Sequence, residues 1–112
     1  MSKDSIVLKI PAKPEYVMSL RLFISGIGTA QGFDIEELEA LKLSISELLV
    51  MAVRDENEFL NLEFYLKDKE IELVANVTAD DRDNLSLKIV ESLSDNFETN
   101  ERETRVIFKK EE

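Results

Sequence analysis

The sequence predicts an α+β two-layer sandwich, with a mixed sheet of about four strands and three helices on one face, in the order β-α-α-β-β-α-β. Three observations carry that prediction. Apolar residues alternate with polar ones from Phe59 to Leu66 and run on through Ile71–Val77, as strands require. They recur at three- and four-residue spacing from Tyr16 to Ile27, from Ile35 to Ala52 and from Leu85 to Phe97, as helices require. The breaks fall at prolines, glycines and polar connectors, with no linker, repeat or low-complexity stretch between them. The 112 residues are therefore read as one domain, 1–112.

The elements follow in order. Ser5-Ile6-Val7-Leu8-Lys9-Ile10 reads as a strand ended by Pro11 and Pro14. Pro14 suits the first turn of a helix, where a missing N–H does no harm. Leu20, Phe23, Ile24 and Ile27 form that helix's inner stripe, and Gly26, Gly28 and Gly32 are expected to close it. Asp34 and Glu37 have capping-box spacing and open a second helix. Its inner stripe is Ile35, Leu38, Leu41, Ile45, Leu48, Leu49 and Ala52. Beyond Leu43, Val50, Met51 and Val53 make it apolar on most sides, which suits a central helix. A hairpin follows, turning at Lys67-Asp68-Lys69. Asp81 or Asp83 is the expected cap of a third helix whose apolar residues are Leu85, Ile89, Leu93 and Phe97. Asn96 to Glu103 reads as a polar turn, Thr104 to Lys109 as a last strand, and the tail after it as frayed.

Composition excludes several functions. Net charge is −10, which repels nucleic acid and anionic membrane surfaces and favours basic protein partners. There is no histidine and no cysteine, so serine–histidine and cysteine–histidine catalysis are excluded, and no metal site is expected. No apolar run approaches the ~20 residues of a membrane span, and the opening Met1–Ser5 is too short and polar for a signal peptide. A cytoplasmic location is expected. Gly26, Gly28 and Gly32 have the wrong spacing for a dinucleotide fingerprint. Asp80, Asp81, Asp83 and Asn84 lack the turn glycine and distant glutamate of a calcium loop, so capping and solubility are their expected roles.

Two stretches, Ile10-Pro11-Ala12-Lys13-Pro14-Glu15-Tyr16 and Leu41 through Val53 with Ser46-Glu47-Leu48 at its centre, together with the element order, resemble the bacterial anti-sigma-factor serine kinases. That family shares the ATPase fold of histidine kinases and Hsp90. The resemblance implies that Glu47 is the general base on an attacking hydroxyl, and that Met51 stands where the family has a magnesium-orienting asparagine. A thioether is a poor ligand for that hard cation. It implies that Val77 and Ala79 stand at the adenine-binding Asp-x-Gly, and that Asn84 and Ser86 fall in the glycine-rich turn under the phosphates. No glycine follows Gly32, and only residues 78–83 occupy the place of the family's ATP lid. The lid is thus missing, and the nucleotide site reads as degenerate.

The resemblance also places Arg21 on the outer side of the first helix, on a partner-binding surface. The expected function is a non-catalytic regulatory domain, without cofactor, that binds a sigma factor or an anti-anti-sigma antagonist. The alternative is a divergent ATP-dependent serine kinase with ATP and magnesium as cofactors. It would use Glu47 as base and Asp80 or Asp81 as metal ligands. A third expectation is a homodimer paired along the edge Thr104–Lys109.

Overall fold

The computed structural model describes residues 4–78 and 84–110. Its elements are β1 (Asp4–Pro11), α1 (Val17–Ala30), α2 (Ile35–Arg54), β2 (Phe59–Lys67), β3 (Glu70–Ala75), α3 (Leu85–Leu93), β4 (Asn96–Thr99) and β5 (Thr104–Lys109). A single 3-10 turn, Pro14–Tyr16, leads into α1 with Pro14 in its opening position. The predicted two-layer arrangement is found. The sheet, however, has five strands in the order β1-β2-β3-β5-β4, and every pairing is antiparallel.

The extra strand is β4, within the stretch read as a polar turn. It also explains why the sheet is not mixed. The crossover through α3 delivers β4 parallel to β3, and the β4–β5 hairpin then returns β5 between them, antiparallel to both. Thr104–Lys109 is therefore an interior strand, and it is not the edge expected for pairing between copies. The edges are β1 and β4.

Asp34 caps α2 with a complete capping box. Its carboxylate accepts the Glu37 N–H at 2.8 Å, and the Glu37 carboxylate accepts the Asp34 N–H at 2.7 Å. Leu41, Ile45, Leu48, Leu49 and Ala52 of α2 bury themselves with Leu20 and Ile24 of α1 against Leu60, Leu62, Phe64, Leu73, Val106 and Phe108 of the sheet. The Phe23 and Phe64 rings meet edge to face, with centroids 5.3 Å apart, and tie α1 to β2. Ile35, expected in the stripe, is exposed, because the first helical position lies beyond the edge of the core.

Gly26 and Gly28 do not end α1; the helix runs through both to Ala30, and Gly32 follows at φ +88°. Gly28 has a packing role instead. A Cβ there would sit 2.5 Å from Leu38 Cδ2 and 3.0 Å from Leu41 Cδ1, so its bare backbone sets how closely α1 crosses α2. At Gly26 a Cβ would meet nothing within 4 Å.

The far face of the sheet carries charge. Glu72 of β3 is buried there, accepting from Lys67 at 3.1 Å and from the Arg105 guanidinium, which also reaches Glu103 at 3.1 Å. Burial pushes the Glu72 carboxyl up, but the hydrogen bonds and charges of Arg105 and Lys67 outweigh it and hold the group below its ordinary value.

Two stability outcomes follow, both measurable by chemical denaturation. Gly28→Ala should cost about 1–2 kcal/mol from overpacking, net of its helix-propensity gain, whereas Gly26→Ala should stabilise by about 0.5–1 kcal/mol. A folded pKa that is depressed makes the Glu72 contribution present above the unfolded value of 4.5 and lost as pH falls through the lower folded value. Glu72→Gln should therefore cost about 1–2 kcal/mol at neutral pH, and its difference from the parent should close as pH drops below 4.5.

Candidate functional site

The residues singled out as a nucleotide site lie along the seam where α3 packs on α2. Glu47 and Met51, four residues apart, occupy one flank of α2. Glu47 is half-buried, and Met51 is fully buried in the core. Across the seam, the Ser86 hydroxyl donates to the Glu47 carboxylate at 2.7 Å. Ser86 itself is 6% exposed. Val77, just past β3, is buried in the same core, and its carbonyl accepts the Thr104 hydroxyl at 2.7 Å. Ala79, Asp80, Asp81 and Asp83 lie outside the described residues.

Asn84 caps α3. Its side-chain oxygen accepts the Leu87 N–H at 3.1 Å, so the cap is neither Asp81 nor Asp83. The buried face of α3 is Ser86, Leu87 and Val90, whereas Leu85 is 68% exposed. The every-fourth-residue pattern thus placed the start of the helix correctly, but Phe97 lies in β4 beyond its end, and the stripe holds at Leu93, which packs on the core, and fails at Leu85. Sequence reasoning named both Ser86 and Glu47 but missed their pairing. The only signal available was a serine among apolar residues at a buried helical position, which needs a polar contact.

Arg21 is remote from this seam. It is half-buried on α1, beside the Glu39–Lys42 pair of α2, whose nitrogen and oxygen are 2.7 Å apart. The hydrogen bond and charge of Lys42 hold the Glu39 carboxyl below its ordinary value, and the charge of Arg21 adds to this.

Among the described residues, the donors along this seam do not fit a magnesium ion. Met51 presents a thioether, Glu47 is engaged by Ser86, and no cluster of three metal-ligating side chains exists among those residues. Among the described residues, the buried atoms Ser44 Oγ and Asn84 Nδ2 have no hydrogen-bond partner.

No family model matches the chain. It is 36% identical over 75 residues to the serine-protein kinase RsbW of Listeria innocua, covering 62% of this chain and 48% of that protein. It is 38% identical over 76 residues to the RsbW of Oceanobacillus iheyensis and 34% identical over 76 residues to that of Bacillus subtilis; each match covers 63% of this chain and 48% of the relative. The chain resembles the RsbW serine-protein kinases. It spans about half the length of these relatives. The fold agrees with the crystal structure of the RsbU and RsbW domains of a Mycobacterium tuberculosis protein, at a TM-score of 0.70 and 14% identity, over 96% of this chain and 32% of that one.

The family resemblance read from the sequence is thus borne out. The expectation that the chain is not an enzyme is corrected, because the relatives' names are those of kinases and point to an enzyme. No described helix is long and apolar enough to cross a membrane.

Burial along the seam sets an expected contrast. Met51→Ala should cost about 2–4 kcal/mol, as removal of a buried side chain does. Leu85→Ala, on the exposed side of α3, should stay within about 0.5 kcal/mol of the parent. Urea denaturation of both variants checks the register of the helix.

Proposed function

We propose that this chain is a regulatory, protein-binding domain of the anti-sigma type, which holds a sigma factor or an anti-anti-sigma antagonist on the outer face of its helices. The observation that carries this reading is the apolar surface there. Met18 and Leu22, one turn apart on α1, are 60% and 67% exposed, and Leu43 and Val50 of α2 are exposed as well. All four lie opposite the buried stripes of their helices and so point away from the sheet. Arg21 sits beside Leu22 and supplies a cation of the kind enriched at interface anchors. Pro14, Val17, Leu49, Val50 and Val53 line an adjoining apolar cleft of about 400 Å³. Solvent-facing apolar groups gathered in this way mark interaction surfaces. The net charge of −10 favours a partner with a basic face. The location that suits this role is the cytoplasm.

A second reading is favoured by the names of the relatives and by Glu47 standing on α2 at the position the resemblance gives to a general base. It is an ATP-dependent serine kinase acting on the antagonist. ATP and magnesium would be its cofactors, and Asp80 or Asp81 would supply the metal oxygens that the described residues lack.

Titration calorimetry against the sigma factor and antagonist encoded nearest to this chain's gene tests the first reading. A 1:1 complex is expected, weakened at least about tenfold by Leu22→Asp. Binding to neither protein, or binding indifferent to that substitution, would remove it. Radiolabelled ATP tests the second. Transfer to the antagonist that is lost in Glu47→Gln supports a kinase, and an unlabelled antagonist counts against one.

A further inference from the structure

On the reading in which Glu47 acts on a serine hydroxyl, we propose that Ser86 is an intramolecular occupant of that hydroxyl's place, an autoinhibitory contact through which α3 keeps Glu47 closed. The contact has the geometry a general base makes with the hydroxyl it activates, a donor 2.7 Å from a carboxylate oxygen. Here the donor belongs to the chain itself and is almost wholly buried.

Three features separate this contact from ordinary helix packing. The start of α3 does not need Ser86, because Asn84 provides the cap. The adhesion of α3 does not need it either, because Leu87 and Val90 are the apolar residues buried from this helix. A buried hydroxyl is costly unless it is bonded, and Glu47 is the partner that offsets the cost. Alanine would fill the same position without that requirement. What the serine adds is engagement of Glu47, a residue 39 positions away. An incoming serine hydroxyl that approaches the same carboxylate oxygen must displace Ser86 from it, and the device sets a threshold that a well-bound partner meets and a loosely bound one does not.

Carbodiimide labelling of carboxylates, read residue by residue by peptide mass spectrometry, tests this on the intact chain. Ser86→Ala should label Glu47 about tenfold faster than the parent, as expected for release of a charge-assisted hydrogen bond. Glu72, buried on the far face of the sheet, should keep its parent rate and so report that the fold is intact. An unchanged Glu47 rate overturns the proposal. A rise shared equally by Glu47 and Glu72 overturns it too, since that is general opening. Phosphoryl transfer to the antagonist is followed in parallel. Its absence in both proteins counts against the kinase reading alone, while transfer no faster in Ser86→Ala than in the parent refutes autoinhibition.

Discussion

The central burial of α2 is the constraint from which the rest of the structure follows. The helix touches the sheet along Leu41, Ile45, Leu48 and Ala52, α1 across the Gly28 crossing, and α3 along the Glu47 and Met51 flank. A helix covered on three sides is apolar on those sides, which accounts for buried Met51 and half-buried Val53, whereas Val50 faces solvent. Each neighbour then solves its own packing problem. For α1 the answer is a glycine, because two backbones cannot approach closely past a Cβ. For α3 it is buried Leu87 and Val90, partly buried Leu93, and a serine that meets the Glu47 carboxylate.

How much of this was legible depended on whether the signal was local. The capping box at Asp34, the Pro14 entry to α1 and the alternation of β2 are decided by neighbours in sequence, and each was read correctly. Strand β4 was not legible. Of Asn96, Phe97, Glu98 and Thr99, only Phe97 packs on the core, and the strand exists because β5 returns beside it. The buried face of α3 was misread for a related reason. Apolar residues at every fourth position, Leu85, Ile89, Leu93 and Phe97, suggested a stripe through Leu85, but Ser86 is buried instead and bonds Glu47, far away in the chain. At the candidate site, sequence supplied Glu47, Met51, Val77, Asn84 and Ser86 as names. Their division into a buried apolar set and a hydrogen-bonded pair came only from packing.

The sheet's two faces divide the chemistry differently. One is hydrocarbon and takes the helices. The other is polar, as an antiparallel sheet with one solvated side allows, yet it buries Glu72 beneath Lys67 and Arg105. In a chain with 24 acidic and 14 basic residues, cations committed there are withdrawn from the rest of the surface. The helical side carries exposed apolar groups together with charges of its own, among them Arg21 and the Glu39–Lys42 pair.

The seam between α2 and α3 joins these themes. Met51 is buried completely and packs the core, and its thioether offers no oxygen to a hard cation. Ser86 does the converse, since it contributes little hydrocarbon and binds the carboxylate. Apolar burial along α3 sets how firmly the helix sits, while in the proposed device a single hydrogen bond sets whether Glu47 is available. Because these are different interactions on different residues, stability and availability can change independently. The nine-residue helix is seated by Leu87 and Val90, with Leu93 partly buried against the same core, so its hold does not rest on the Ser86–Glu47 bond.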